Sequence, residues 1–273
     1  MEVTHMNLID KKFAELKEQN NTALIPFISV GDPNIATTVD IIKTLEAAGA
    51  DIIELGVPYS DPLADGPVIQ RASERALQHN ITLTDCINLG GTLRTEGVQI
   101  PLILFTYFNP IFQFGLKPFF DLVKSNDISG LIIPDLPIEE DGEVRELAQQ
   151  YNIHLIPLVA PTSDERVIRI TQHAKGFVYC VSSLGVTGER ATFHTGIDEF
   201  LAVVKRASSV PIAIGFGISN REQVARFEGK CDGVIVGSAI VRTIENSLPL
   251  LADEATKQAG LKQIGDFVAS LKG

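Results

Sequence analysis

The strongest constraint on this chain is a repeat of architecture. Short apolar runs of strand length recur at residues 23–28, 51–57, 101–107, 130–135, 153–159, 177–181, 211–215 and 232–237. Between them lie helical spacings of apolar residues at 35–48, at 68–79 and 85–96, and at 118–125, 143–150, 164–173, 197–207 and 221–227. A short helical run opens after 237, and a last helix is expected at about 250–271. Strands that are apolar throughout belong to sheets covered on both faces, and strand–helix alternation makes neighbours parallel. Eight such units in 273 residues predict an α/β fold, a single closed (β/α)8 TIM barrel. An open doubly wound sheet is disfavoured, because no Gly-x-Gly-x-x-Gly follows the first run. An amphipathic pattern at 8–19 adds an N-terminal helix, as 250–271 adds a C-terminal one. No linker divides the chain, so residues 1–273 are expected to form one domain.

Composition narrows the function. The formal net charge of −11 makes nucleic acid and anionic membranes poor partners. A phosphorylated substrate would then be held mainly by backbone N–H groups rather than by a lysine patch. No apolar run approaches the ~20 residues that span a bilayer. The first residues carry no basic region followed by an apolar core, so no secretory signal is expected. Cys86, Cys180 and Cys231 fit neither a disulfide framework nor a zinc cluster, which suggests a reducing compartment.

In a barrel of this kind the chemistry sits at the C-terminal ends of the strands. There the stretch from Ile53 to Gly66 stands out, running from an apolar strand into a Pro/Gly-rich loop with Glu54 in the strand and Asp65 in the loop. Side chains alternate along a strand. If Ile53 and Leu55 pack under the helices, Glu54 points into the barrel with Ile52. No strand-end Lys or Arg is available to pair with it, which favours acid–base chemistry over a structural ion pair. Desolvation should raise its pKa towards neutrality. Asp65 precedes Gly66-Pro67 and a helical run, so a helix N-cap and a ligand contact are equally supported. Asp61, before Pro62, reads as an extended surface residue.

A second signal is distributed. Gly215-Phe216-Gly217 follows the seventh strand, and Gly237-Ser238 follows the eighth at the start of a helical run. These are the places where such barrels commonly hold phosphate. The loop at 183–188 can supply further donors or act as a lid, and the two readings are compatible. Absences point the same way. Lys117, Lys124, Lys175, Lys205 and Lys230 fall on helices or their edges, which disfavours a Schiff base. His154 begins a strand, at the opposite end, and His194 stands alone near a top loop. What remains is acid–base chemistry on a phosphorylated substrate.

The block Glu54-Leu55-Gly56-Val57-Pro58-Tyr59-Ser60-Asp61-Pro62-Leu63-Ala64-Asp65-Gly66 resembles the tryptophan synthase alpha subunit family. So, in order, do Asp32-Pro33, Pro134-Asp135-Leu136-Pro137, Gly185-Val186-Thr187-Gly188, Gly215-Phe216-Gly217-Ile218 and Gly237-Ser238-Ala239-Ile240-Val241, across nearly the whole chain. The resemblance implies cofactor-free retro-aldol cleavage of indole-3-glycerol phosphate to indole and glyceraldehyde 3-phosphate. It implies Glu54 as the acid–base residue and Asp65 as the contact to the indole nitrogen, tipping Asp65 towards function. It places phosphate contacts at Gly188, Gly217, Gly237 and Ser238. It offers Phe27, Phe105, Tyr107, Ile132, Tyr179 and Phe216 for the indole pocket, with core packing the safer role for Ile132. Thr187 and Asp135 fall at loop closure, and the loops at about 58–65 and 182–191 should close over substrate. Ser183 stands where some relatives carry arginine.

The resemblance also implies a pyridoxal-phosphate-dependent beta subunit as partner, in an alpha2beta2 tetramer, with no cofactor or metal in this chain. Apolar residues of Val57-Pro58-Tyr59 and Asn109-Pro110-Ile111-Phe112 are candidates for that contact. A cytoplasmic location is expected, or an organellar stroma if a transit peptide has been removed. Competing readings are a stand-alone lyase, a non-catalytic binding barrel, and another phosphate-binding barrel such as a ribulose-phosphate isomerase or epimerase.

Overall fold

The computed structural model describes residues 6–181, 196–215 and 217–272. Among these, nine strands form one parallel sheet in the order β5-β4-β3-β2-β1-β9-β8-β7-β6. They are β1 (Ala23–Ser29), β2 (Ile53–Gly56), β3 (Leu102–Phe105), β4 (Gly130–Ile132), β5 (His154–Leu155), β6 (Leu158–Val159), β7 (Val178–Val181), β8 (Ile212–Gly215) and β9 (Gly233–Val236).

The extra strand has a simple origin. The run expected as one strand at 153–159 is two, because Pro157 has no N–H to give to a ladder. Ile156 N–H still donates to Leu131 O on β4 at 2.8 Å, and Pro157 O accepts from Tyr179 N–H on β7 at 3.0 Å. The two ends of the sheet order are therefore joined by one continuous segment. The sheet closes on itself as a barrel, as the eightfold pattern predicted.

The strands divide their side chains between two cores. On β2, Ile53 and Leu55 join the outer core beneath the helices, while Ile52, just before the strand, joins the inner one. β1 alternates in the same way, with Ile25 and Phe27 inward and Leu24 and Ile28 outward. The inner core is plugged at one end by α1 (Leu8–Glu18), whose Ile9, Phe13 and Leu16 pack into it. Phe13 meets Phe177 with ring centroids 5.5 Å apart. Asn7 caps this helix by accepting from Ile9 N–H, and its amide donates to Ser129 O and Asn152 O.

Some helices differ from expectation. Residues 108–114 form a helix, α5 (Phe108–Phe114), that the aromatic and Asn-Pro composition concealed. The C-terminal helix does not begin at 250. Leu250 and Leu251 end the fourteen-residue α11 (Ser238–Leu251), and α12 (Lys257–Lys272) follows a turn in which Thr256 Oγ1 donates to Leu250 O at 2.8 Å. The helices flanking the split strand, α7 (Gly142–Gln150) and α8 (Asp164–Thr171), are short. A groove of about 990 Å³ opens between them along Leu155 and Pro157, with Arg145, Arg166 and His173 on its walls. Neither Glu54 nor Asp65 lines it.

Gly56, at the end of β2, is required by close packing. A Cβ there would lie 2.4 Å from Phe27 Cζ and 2.9 Å from Ile28 O. Gly56→Ala is expected to destabilise the fold by about 1–3 kcal/mol, as overpacked cores do. Denaturant unfolding measures this, and an unchanged midpoint would show that Phe27 and the β1 backbone yield without cost.

Candidate active site

Glu54 lies on β2 opposite Phe27 of β1 and Ile103 of β3. Both neighbours belong to the inner core, and Glu54 itself is only 1% exposed. Neither carboxylate oxygen has a hydrogen-bond partner among the described residues. The structural ion pair, the alternative to a chemical role, is absent there. Burial alone pushes the carboxyl well above its ordinary value of 4.5.

Asp65 is not a helix cap. Gly66 occupies the N-cap of α3 (Pro67–Leu77), without a side-chain capping bond, and Pro67 takes the first helical position. The Asp65 side chain turns inward instead and is 6% exposed. The Tyr107 hydroxyl donates to its Oδ2 at 3.2 Å and accepts from Ala64 N–H at 2.9 Å, so one phenol holds both the carboxylate and its loop. Burial raises the Asp65 carboxyl to about 6, and the Tyr107 bond opposes part of that rise. From below, Gln70 Nε2 donates to Asp65 O at 2.7 Å. Asp61 stays at the surface, where Ser60 donates to it at 2.8 Å.

Five aromatic residues line the chamber. Tyr107 stacks on Tyr59 at 4.9 Å. Phe27 and Phe105 meet edge to face at 5.4 Å. Tyr179, on β7, is buried, and its phenol is pushed up first by burial and then by the negative charges of Glu54 and Asp65. Its hydroxyl rests on Gly215, where a Cβ would come within 2.4 Å. Ile132 is fully buried in the inner core, in keeping with a packing role.

Gly237 and Ser238 open α11, with Gly237 at the N-cap and Ser238 the first helical residue. The first-turn N–H groups of a helix lack intrahelical acceptors and carry the positive end of its dipole. Gly237 borders the chamber, its Cβ position lying 3.6 Å from Phe27 Cβ. Gly217 adopts φ +88°, a left-handed conformation suited to glycine. Asp135 is exposed and accepts from Phe108 N–H at 2.9 Å, which fastens the loop after β4 to the start of α5. Thr187, Gly188 and Phe216 lie outside the described residues, as do Ser183, His194 and the expected lid at 182–191.

Sequence reasoning brought Tyr107 forward only as a pocket wall. Its bond to Asp65 spans 42 positions, and no local pattern announces it. Tyr59 enters from sequence only as part of the closing loop at 58–65 and as a partner-contact candidate, and its stacking on Tyr107 makes it part of the same assembly. Among the described residues, histidine forms no competing centre. His154 lies at the α1 side of the barrel, with Nε2 2.9 Å from Asp10.

Comparison with known proteins agrees with this geometry. A family model described as tryptophan synthase alpha chain matches residues 13–269. The tryptophan synthase alpha chain of Bacillus pumilus is 53% identical over 250 residues, covering 92% of this chain and 94% of that one. That of Geobacillus kaustophilus is 52% identical over 252 residues, with the same coverage. Among solved structures, tryptophan synthase subunit alpha from Legionella pneumophila superposes with a TM-score of 0.88 at 37% identity, covering 98% of this chain and 97% of that one. A chain of Mycobacterium tuberculosis tryptophan synthase gives a TM-score of 0.85 at 31% identity, covering 97% and 96%. A match of this extent means that the chain belongs to the tryptophan synthase alpha chain family.

Proposed function

We propose that this chain carries out the family's lyase reaction, the cleavage of indole-3-glycerol phosphate, with Glu54 and Asp65 in separate roles. The observation that carries the assignment is a buried carboxyl with no partner among the described residues, on the strand that leads into the loop bearing a second buried carboxyl held by a phenol. With its pKa raised, Glu54 rests protonated further up the pH scale than an ordinary glutamate. It gives that proton to indole C3. Positive charge then grows on the indole nitrogen, and Asp65, ionised above about 6, accepts its N–H and stabilises that charge. The bond from C3 to the glycerol chain breaks, its electrons restoring the indole ring. The adjoining hydroxyl becomes the aldehyde and gives its proton to Glu54, so the enzyme ends as it began.

The phosphate is assigned to Gly217, Gly237 and Ser238, with Gly188 as a further contact. The left-handed Gly217 and the N-terminus of α11 support this reading. Phe27, Phe105, Tyr107, Tyr179 and Phe216 are assigned to the indole pocket, and Thr187 and Asp135 to loop closure. The chain is read as one barrel domain that needs no cofactor or metal of its own. Family membership implies a beta subunit, in which pyridoxal phosphate is expected, and an alpha2beta2 tetramer is the proposed assembly. Leu63, 82% exposed on the loop after β2, and Phe112, 64% exposed on α5, are the apolar residues proposed for that contact. No helix of the described residues is long and apolar enough to cross a membrane, and a cytoplasmic location is proposed.

Glu54→Gln keeps the size of the side chain and removes its acid–base capacity. Indole release from indole-3-glycerol phosphate is expected to fall by at least ~100-fold; unchanged turnover would reject the role. The same variant should be more stable at neutral pH. A carboxyl raised in the native state holds a proton that the unfolded chain releases. Its contribution to stability is complete below the unfolded value of 4.5 and is lost as pH rises through the native value. For Asp65 the corresponding window runs from 3.8 to about 6. Denaturant midpoints taken across pH should show Glu54→Gln ahead of the unaltered chain at about pH 8 and level with it at about pH 4. A lead that persists in acid would assign the gain to something other than this proton. Adding the beta subunit is expected to raise turnover, and Leu63→Ser to weaken that gain without moving the unfolding midpoint. Full activity alone, unaltered by the partner, would favour the stand-alone lyase.

A further inference from the structure

One group of charges, gathered around the buried Asp32, has no part in the mechanism above. Arg75, near the end of α3, spreads its guanidinium between two elements. Its Nε and Nη2 donate to Asp32 Oδ1 and Oδ2 at 2.8 Å each, in the loop after β1, and its Nη1 donates to Glu245 Oε1 on α11 at 2.8 Å. Arg71, one helical turn earlier, donates to the same carboxylate through Nε at 2.8 Å and Nη2 at 2.7 Å. Asp32 is 3% exposed. The bonds from Arg71, followed by those from Arg75, hold the Glu245 carboxyl down at about 2.

The two helices joined by this network are those whose N-termini bear the two ends of the proposed site. Asp65 lies two residues before α3, and Gln70 in the first turn of that helix holds its carbonyl at 2.7 Å. Gly237 and Ser238 open α11. Ile69 of α3 packs beside Gly237, its Cδ1 3.9 Å from the Cβ position of that glycine. The arginines cross-link the same pair of helices further along. Ion pairs as exposed as that of Arg71 with Glu245 add little stability, but the fixed fork of each guanidinium dictates direction and distance.

We propose that Arg75, with Asp32, Glu245 and Arg71, is a positioning residue that sets the separation between Asp65 and the helix end at Gly237–Ser238. The inference rests on the reading of the site given above. A substrate with an indole ring at one end and a phosphate at the other spans that separation, so both ends are satisfied together only at one setting. Misplacement by about an ångström is enough to cost ~100-fold in rate.

The test compares a spanning ligand with its two halves, on the full chain. Glu245→Gln preserves volume and hydrogen bonding while removing the charge, and Arg75→Met removes the fork. Steady-state cleavage of indole-3-glycerol phosphate is measured alongside binding of indole alone and of glycerol 3-phosphate alone, with thermal unfolding to confirm that each variant is folded. For folded variants, kcat/KM is expected to fall ~10- to 100-fold while each half-ligand binds within about threefold of its affinity for the unaltered chain. Unchanged kcat/KM in both variants would overturn the proposal. So would a parallel loss of affinity for the halves, which marks damage to the half-sites themselves. If the unaltered chain neither cleaves the substrate nor binds glycerol 3-phosphate, the reading of the site falls and the inference with it, and that failure is recognised because it needs no variant.

Discussion

A carboxyl group buried without a partner is the constraint on which this molecule turns. Moving an ionised carboxylate into apolar surroundings costs several kcal/mol unless it is paired or neutralised. Glu54 has no pair among the described residues, so neutralisation is the way the fold accommodates it. The surrounding structure makes that accommodation selective. The outer core seals the strands beneath the helices, α1 plugs the far end, and aromatic rings wall the near end. The same exclusion of water that disfavours the charge readies the group to give up a proton and take one back.

Parallel strands explain why residues so distant in sequence meet there. Every strand presents its C-terminal end to one face, so the loops after β2, β3, β8 and β9 are neighbours whatever lies between them. The Tyr107 hydroxyl is the clearest product of this geometry. It reaches across from the end of β3 to hold the loop after β2 by both a backbone amide and a carboxylate. Tyr179, on the opposite wall, senses both acidic groups. The two acids thus occupy one electrostatic environment, yet their settings differ. Glu54 is governed by burial alone, whereas Asp65 has a donor that offsets part of the penalty.

Much of this was legible in the chain because it follows from periodicity. Apolar runs of strand length marked the barrel, and alternation around Ile53 and Leu55 turned Glu54 inward. What stayed hidden depends on tertiary partners. Asp65 looked as much like a cap as a ligand contact, because Gly66-Pro67 is a good helix start either way, and only the distant Tyr107 decides between them. α5 was missed because an acceptor for its first N–H comes from Asp135, 27 residues away. The division at Pro157 left no trace in the apolar pattern, since proline is compatible with extended backbone and only the missing N–H interrupts the ladder. The link from Asp32 through Arg75 to Glu245 joins three elements whose separate sequences show only ordinary surface charges.

That division of the fifth strand gives the barrel a seam. On either side of it the register contains only two pairs, Gly130 with His154 and Leu131 with Leu155, then Leu158 with Tyr179 and Val159 with Cys180. β1 occupies the opposite wall, with four pairs to β9 and three to β2. Short flanking helices leave the seam bordered by a groove rather than covered. Local opening follows the fewest backbone bonds and the thinnest covering. The seam, thinly paired and thinly covered at once, is a place where the cylinder can open away from Glu54, while the better-paired wall of β9, β1 and β2 holds that residue in register.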